Sequence, residues 1–430
     1  MTSSFLHGVE VVSLTAGARP IQTVRSAVIG LVGTAPDADA AVYPLNTPVL
    51  IAGGSRSKVA KLGTTGTLGA AMDGIYQQIG ATVIVVRVDA GANDAAALTN
   101  VAGNQATQTG VWALTKAESL VGISPKVICA PGFTHQCTLT VGSEVANTVV
   151  AQLVSLASGS SAVGDRLRAV VIADGPNTTQ ADAQLYADLH ASDRVYVVDP
   201  WVKFSYNGAT VTKPASAHVA GVIAKSDAER GFWFSPSNRA IQGIVGTSRQ
   251  VGFFLGDLNS EANILNENDV ATVIRENGFR LWGNHTTTTN AQLQFLSTRR
   301  ILDMVNESVM RAHLWAVDRC ITRTFLQDVR ESVAAYLRSL EARGAILGSE
   351  VFIDPEANTA TDVANGQITI DFEFTPVYPA ERVRFRSILT NKYIESILTD
   401  SNADDTSENE SGEENAPDNE ENTTEDTAEE

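Results

Sequence analysis

The sequence predicts an α/β fold joined to a C-terminal α+β unit with long helices, and three changes of rhythm carry that reading. Between residues 27 and 198 short apolar runs alternate with helical stretches, as βαβ units around a mostly parallel sheet require. From 283 to 367 apolar residues recur every three or four positions, the period of an amphipathic helix. From 367 to 374 the period shortens to two, the mark of a half-buried strand. The divisions that follow are an N-terminal arm (1–20), an α/β part (21–272), a C-terminal domain (273–390), a C-terminal arm (391–399) and a disordered acidic tail (400–430).

In order, residues 5–14 read as a short apolar strand set apart by Gly17 and Pro20. A strand this short cannot bury itself alone, so it pairs within its molecule or adds to a neighbour's sheet edge. Strands are expected at 27–34, 44–51 and 82–88, the last with a continuous apolar run that suggests cover on both faces. A helix is expected at 68–80 and a shorter one at 111–120. Strands at 126–130, 168–173 and 194–198 then alternate with helices at 143–158 and 179–190. From Asp199 to Asn238 the text reads as loop-rich, its aromatics packing a domain joint or, as the alternative, lining a ligand pocket.

Ile301, Leu302, Val305, Val309 and Ala312 mark one long helix, and Leu326, Val329, Val333, Leu337 and Leu340 a second. Gly344 and Gly348 are read as stops. The polar side of the second helix carries Arg323, Arg330, Arg338 and Arg343 against Asp328, Glu331 and Glu341. This is a solvated face with i,i+4 pairs, or a docking surface for an acidic partner. Ile368, Ile370, Phe372 and Phe374 share one face of the final strand, opposite Thr369, Asp371 and Glu373. Arg382, Arg384 and Arg386 alternate with Val383 and Phe385, so pairing with Asp371 and Glu373 would match charge across strands.

The formal net charge is -18. Residues 400–430 hold 14 acidic and no basic residues, which leaves -18 + 14 = -4 for the rest. The acidity belongs to the tail, which cannot bury enough apolar surface to order itself. The body shows no basic run of the kind that binds nucleic acid. No apolar stretch approaches the roughly 18 residues of a membrane helix and no leader is evident, so neither membrane insertion nor secretion is expected. Cys129, Cys137 and Cys320 are odd in number without metal-ligand spacing, and read as packing residues.

Motifs for chemistry were sought and none is complete. Gly30-Leu31-Val32-Gly33 lacks the dinucleotide spacing, and Gly53-Gly54-Ser55-Arg56-Ser57-Lys58 lacks the Gly-Lys-Ser/Thr of a phosphate loop. Asp174, His190 or His218, and Ser248 stand in a hydrolase-like order without the flanking residues of any such family. The expectation is a protein with no catalytic residue, metal or cofactor, the alternative being a hydrolase on the α/β part.

Taken together, several phrases resemble the tail sheath proteins of contractile bacteriophages and of the related R-type bacteriocins. They include Asn46-Thr47-Pro48, Val85-Val86-Arg87-Val88, Ala130-Pro131-Gly132-Phe133, Asp199-Pro200 and Gly231-Phe232-Trp233-Phe234-Ser235-Pro236-Ser237-Asn238. Further on come Leu265-Asn266, Gly278-Phe279-Arg280-Leu281-Trp282-Gly283-Asn284, Arg299-Arg300, Val317-Asp318-Arg319, Gly344-Ala345-Ile346-Leu347-Gly348 and Pro379-Ala380-Glu381-Arg382. The resemblance implies a helical homopolymer of hexameric rings around a tail tube, assembled in the host cytoplasm and carried in the virion tail. It contracts without nucleotide, on energy stored in a metastable lattice. It implies an outward α/β domain, a C-terminal lattice domain facing the tube, and tube, baseplate and tail terminator proteins as partners. Two terminal arms would add strands to neighbouring copies. Onto this sequence they map as Phe5, Leu6, Val9, Val11 and Leu14, and Tyr393, Ile394, Ile397 and Leu398. The acceptor sheet maps to Ile368, Ile370, Phe372, Phe374, Val383 and Phe385, and a tube contact to Arg323 and Arg330. The acidic tail departs from the family pattern. A bacteriocin sheath is the alternative context.

Overall fold

Seven consecutive buried positions, apolar or glycine up to the closing threonine, make β1 (Val28–Thr34) a strand covered on both faces. After it in the computed structural model come β2 (Pro48–Ile51), α1 (Arg56–Ala60), α2 (Leu68–Gln78), β3 (Thr82–Val88) and α3 (Asp94–Ala102). A 3-10 turn at Gly110–Lys116 leads into α4 (Ala117–Val121), β4 (Val127–Cys129), α5 (Thr148–Ser158), β5 (Val170–Asp174), α6 (Gln180–Asp188) and β6 (Val195–Val198). α1 and α3 were not expected; the others lie within a few residues of their expected places. The structure describes residues 21–140, 142–158 and 166–394. Phe5, Leu6, Val9, Val11, Leu14, Ile397, Leu398 and the acidic tail lie outside them. The chain forms one unit through Pro379 and a second from Ala380 onward.

The stretch expected to be loop-rich holds regular structure instead. Asn207 and Gly208, both at positive φ (51° and 78°), turn β7 (Val202–Tyr206) into β8 (Ala209–Lys213). α7 (Ser216–Glu229) follows, with ten of its fourteen residues buried. Its small residues are apolar nearly all round, so no stripe marks it as a helix. Those small residues let α7 lie close to α2: a Cβ on Gly221 would stand 2.8 Å from the Gln78 side chain, and one on Gly74 would stand 2.7 Å from His218.

β9 (Arg239–Ala240), β10 (Ile244–Thr247), α8 (Glu261–Glu267), β11 (Val270–Arg275) and β12 (Phe279–Trp282) complete the α/β part. The main sheet has nine strands in the order β2-β3-β1-β4-β5-β6-β11-β12-β9. From β3 through β11 neighbours run parallel, while β2, β12 and β9 are antiparallel. β11 therefore crosses the boundary expected at 272/273, and the phrase beginning at Gly278 supplies a sheet strand. One face of the sheet is covered by α2 and α7, the other by α3, α5, α6 and α8.

Last come α9 (Leu296–Ala312), α10 (Arg323–Ala342), β13 (Ile346–Phe352), α11 (Ala360–Ala364) and β14 (Asp371–Pro376). Gly344, at φ 74°, ends α10, whereas Gly348 lies inside β13. β14 pairs antiparallel with β13. Ile368 and Ile370 therefore precede the strand, and the expected partner strand at Arg382–Arg386 has no regular structure in the single chain. α9, α10, β13 and β14 share a third core with Phe232 and Trp233, against which Ile21, Val24 and Val377 also pack. Tyr336 and Thr23 join hydroxyls at 3.2 Å, and Ser308 accepts the Val24 amide at 3.1 Å. The chain thus enters and leaves the described unit on the same small module.

What fastens this module to the sheet is charge. Arg299, Asp303, Glu307 and Arg311 recur every four residues along α9 and face the α/β part. Asp303 takes two bonds from Arg194 (2.7 and 3.1 Å) and pairs with Arg299, which also reaches Asp193 at 2.8 Å. Arg300 pairs with Asp227, and Glu307 with Lys126 and Arg311. The side chains of Arg194, Asp303, Arg300 and Asp227 are no more than 3% exposed. Burial pushes the Lys126 ammonium pKa down, opposed by Glu307. Such charges are tolerated because each is matched, and removing one leaves its partners stranded. Asp303→Ala should accordingly destabilise the fold by about 3–5 kcal/mol in denaturant unfolding. Arg239→Ala, which breaks a partly exposed pair, should cost under about 1 kcal/mol. Equal effects of the two would contradict the account.

Candidate functional site

In open α/β sheets ligands bind off the carboxyl ends of the strands where strand order reverses. Here that point lies between β1 and β4. It is filled by the chain itself, because Gly63-Thr64-Thr65-Gly66-Thr67 folds into it ahead of α2. Gly66, at φ 80°, lies so close to β1 that a Cβ would meet the Thr34 carbonyl oxygen at 2.4 Å. Thr67 exchanges bonds with the Thr34 backbone at 2.9 and 3.1 Å. The loop's amides form a nest that could hold an anion, and the Asp37 carboxylate occupies it. It accepts from Thr65 Oγ1 at 2.5 Å, Thr64 N at 2.9 Å and Thr65 N at 3.2 Å. The Thr65 hydroxyl and these amides hold Asp37 down to about 2. At the other suspected cradle, Lys58 Nζ donates to the Leu50 carbonyl at 3.1 Å and Ser55 caps α1 with no side-chain bond.

The acids at the ends of β5 and β6 are likewise spent on the fold. Asp174 is fully buried and accepts from Ser216 N (2.7 Å), Ser216 Oγ (2.6 Å) and Thr134 Oγ1 (3.3 Å). Burial raises its pKa to about 6. Asp199 accepts from Asn177 N at 2.7 Å and pairs with Arg249; burial raises its pKa and Arg249 opposes the rise. Ser248 donates to Asn177 Oδ1. His218 packs edge-on against Phe204 at 4.6 Å, and neither ring nitrogen has a partner among the described residues. Asp174, His218 and Ser248 therefore belong to three separate networks, and no acid–base relay joins them. Cys129 is a buried free thiol, whereas Cys320 is exposed and so is not the packing residue expected.

The features suited to binding lie at the chain end instead. Every residue from Ala380 to Ile394 is exposed, including Phe385 at 91% and Leu389 at 97%. Val383, Tyr393 and Ile394 share this exposure. Within the first unit β13 and β14 form a sheet of two strands, so each keeps one edge unpaired by a strand among the described residues. Phe372 and Phe374 stack and turn into the third core with Val351. On α10, Arg323 and Arg330 are exposed; Arg330 pairs with Glu331 at 3.0 Å. The buried charged face of α9, the Asp37 nest and the anchoring of Ile21 and Val24 escaped sequence reasoning. The first had a signal, the four-residue spacing of charges from Arg299 to Arg311.

Two buried histidines contribute to the pH dependence of this fold. Burial pushes both His190 and His218 down to about 4. The unfolded chain binds these protons from about pH 6.5 downward and the native chain only near 4, so stability is whole above 6.5 and falls between 6.5 and 4. Asp174 acts the opposite way, taking its proton first in the native state between about 6 and its ordinary 3.8. His218→Leu should flatten the loss of stability between pH 7 and pH 4.5, measured by urea unfolding. An unchanged slope would show that His218 does not carry it.

Comparison with known proteins identifies the family of the chain. The model of the phage tail sheath protein central domain matches residues 106–287, and that of the phage tail sheath C-terminal domain matches 288–390. Residues 26–88 match the N-terminal region of domain III of the tail sheath protein Gp18. A prophage major tail sheath protein of Pseudomonas aeruginosa is 37% identical over 92% of this chain and 99% of its own length. The tail sheath protein of Escherichia phage P2 is 33% identical over 93% and 100%. The sheath complex of the extracellular contractile injection system PVC, solved in its contracted state, shares the fold at a TM-score of 0.65 and 19% identity, covering 91% of this chain and 99% of that one. The chain belongs to the phage tail sheath family, and it is a structural subunit of a contractile tail sheath, a virion component, and not an enzyme.

Proposed function

We propose that copies of this chain polymerise as hexameric rings into a helical cylinder around a tail tube, each copy tied to its neighbours by strand addition at its two ends. The observation that carries this reading is the exposed segment 380–394, with Val383, Phe385, Ile388, Leu389, Tyr393 and Ile394 in water, on a chain whose β13–β14 sheet keeps edges unpaired by any strand among the described residues. An exposed edge and an extended apolar segment satisfy each other by backbone hydrogen bonding. Residues 21–24 and Val377 lie on one core, so both ends start from the module that carries the edges. Phe372 and Phe374 are engaged in their own core, and a neighbour's arm would use the strand backbone more than these side chains. Ile368 and Ile370, ahead of β14, lengthen that edge, and Val383 and Phe385 form the next strand once a neighbour is in place. Contraction then draws on the difference between two lattice arrangements, with the strand ties kept as hinges. The solved relatives include a baseplate assembly and a helical sheath of the anti-feeding prophage. Baseplate and terminator proteins are the corresponding partners at the two ends of the proposed cylinder.

The exposed cations of α10 suit an acidic tube surface, with Arg323 and Arg330 in the N-terminal half of the helix as the contact.

Deleting residues 1–16, or making Val9→Pro with Val11→Pro, should leave a folded monomer that forms no tubes under the electron microscope. Long tubes of normal appearance would refute the arm assignment. Arg323→Glu with Arg330→Glu should weaken co-assembly with tube about tenfold while sparing polymers of sheath alone. Unchanged co-assembly in a pelleting assay would count against the tube contact.

A further inference from the structure

Two exposed apolar patches on separate elements have no use within the single chain. The first is the turn between β10 and α8. Arg249 clamps its base by pairing with Asp199 and Glu261, Ala262 N donates to the Gly252 carbonyl at 3.1 Å, and Phe253 packs edge-on to Trp282 at 5.3 Å. Beyond the clamp, Asp257 N donates to the Phe254 carbonyl at 3.2 Å and Asp257 Oδ1 accepts from Asn259 N at 2.9 Å. Phe254, 73% exposed, and Leu255, 77% exposed, are therefore held in water by a fixed frame, beside the exposed Leu258. The second patch is the connection between α9 and α10. There Leu314 is 76% and Val317 63% exposed, and the Arg319 guanidinium lies 5.3 Å over the Trp315 ring.

We infer that the Phe254–Leu258 turn of one copy docks on the Leu314–Arg319 connection of a neighbouring copy, with Asp257 facing Arg319. Both surfaces hold exposed large apolar side chains, and Asp257 at the tip of one can pair with Arg319, which lies over Trp315 beside the exposed Asp318, on the other; a second copy of the same chain therefore supplies the occupant. Large exposed apolar side chains held in place mark an interaction site. A contact between two different surfaces of one chain runs head to tail, so it propagates into a ring or an open helix instead of closing a dimer. The inference rests on the polymer reading above and adds what strand exchange leaves open. Backbone ties allow rotation about the arm, whereas a side-chain contact of this kind fixes the angle between copies.

The charge pair gives the test, made on the full chain and its polymer. Asp257→Lys and Arg319→Asp should each raise the critical concentration for polymerisation about tenfold, and together return it to within about threefold of the parent. Singles without effect, or a double variant no better than the singles, would overturn the contact. Should Asp257→Lys perturb the turn, seen as a lowered melting temperature, Leu255→Ser replaces it and should raise the critical concentration with an unchanged melt; no rise would overturn the contact. Asn259→Cys, in a background with Cys137→Ser, should be linked between copies to the native Cys320 by a short bis-maleimide, giving ladders that vanish with Cys320→Ser. Well-formed polymer without such ladders would defeat this inference and leave the sheath reading intact, whereas a parent chain that forms no polymer would defeat the sheath reading itself.

Discussion

The structure depends on one constraint, the complete pairing of the charges that α9 buries against the α/β part. Arg194, Asp303, Arg299 and Asp193 form one chain of contacts, Arg300 with Asp227 a second, and Lys126, Glu307 and Arg311 a third. An apolar joint would tolerate sliding, because burial of apolar area has no preferred direction. Buried ions have a direction, since an angstrom of displacement leaves a charge unmatched in a medium that cannot solvate it. The nine-stranded sheet and the end-bearing module are thereby held in one arrangement. In the proposed machine the change of state then falls at contacts between copies.

The same economy explains why an α/β sheet of this kind carries no chemistry. Asp37 fills the anion nest, Asp174 holds the start of α7, Asp199 anchors Arg249, and the strand-order reversal is plugged by the loop ahead of α2. Groups that in an enzyme would be left facing a pocket are satisfied here by neighbours in the chain. The third core, by contrast, ends in open strand edges and in the residues where the chain enters and leaves. Fold and proposed function meet at that module.

Much of this was legible in the residues. β3 and β5 each hold an unbroken run of four apolar residues, at 83–86 and 170–173, and α9 and α10 have apolar stripes, so local pattern and tertiary role agree. The family resemblance was equally readable, because its phrases are spread along the chain as far as residue 382. α7 was hidden because a helix buried all round has no stripe, and the β7–β8 hairpin was passed over although Asn207-Gly208 is a strong turn signal. The limits of the α/β part were misplaced because the charged Arg275 and Glu276 end β11 without ending the sheet. The pairing of Arg382–Arg386 with β14 rested on charge alignment alone. In the single chain β14 pairs with β13 instead.

A cryo-electron microscopy reconstruction of the polymer formed by the purified chain is the most direct measurement. The account predicts that residues 5–14 and 393–398 of each copy appear as strands hydrogen-bonded to the β13–β14 sheets of other copies. Chain ends folded back onto their own module, in a polymer held by other contacts, would contradict it.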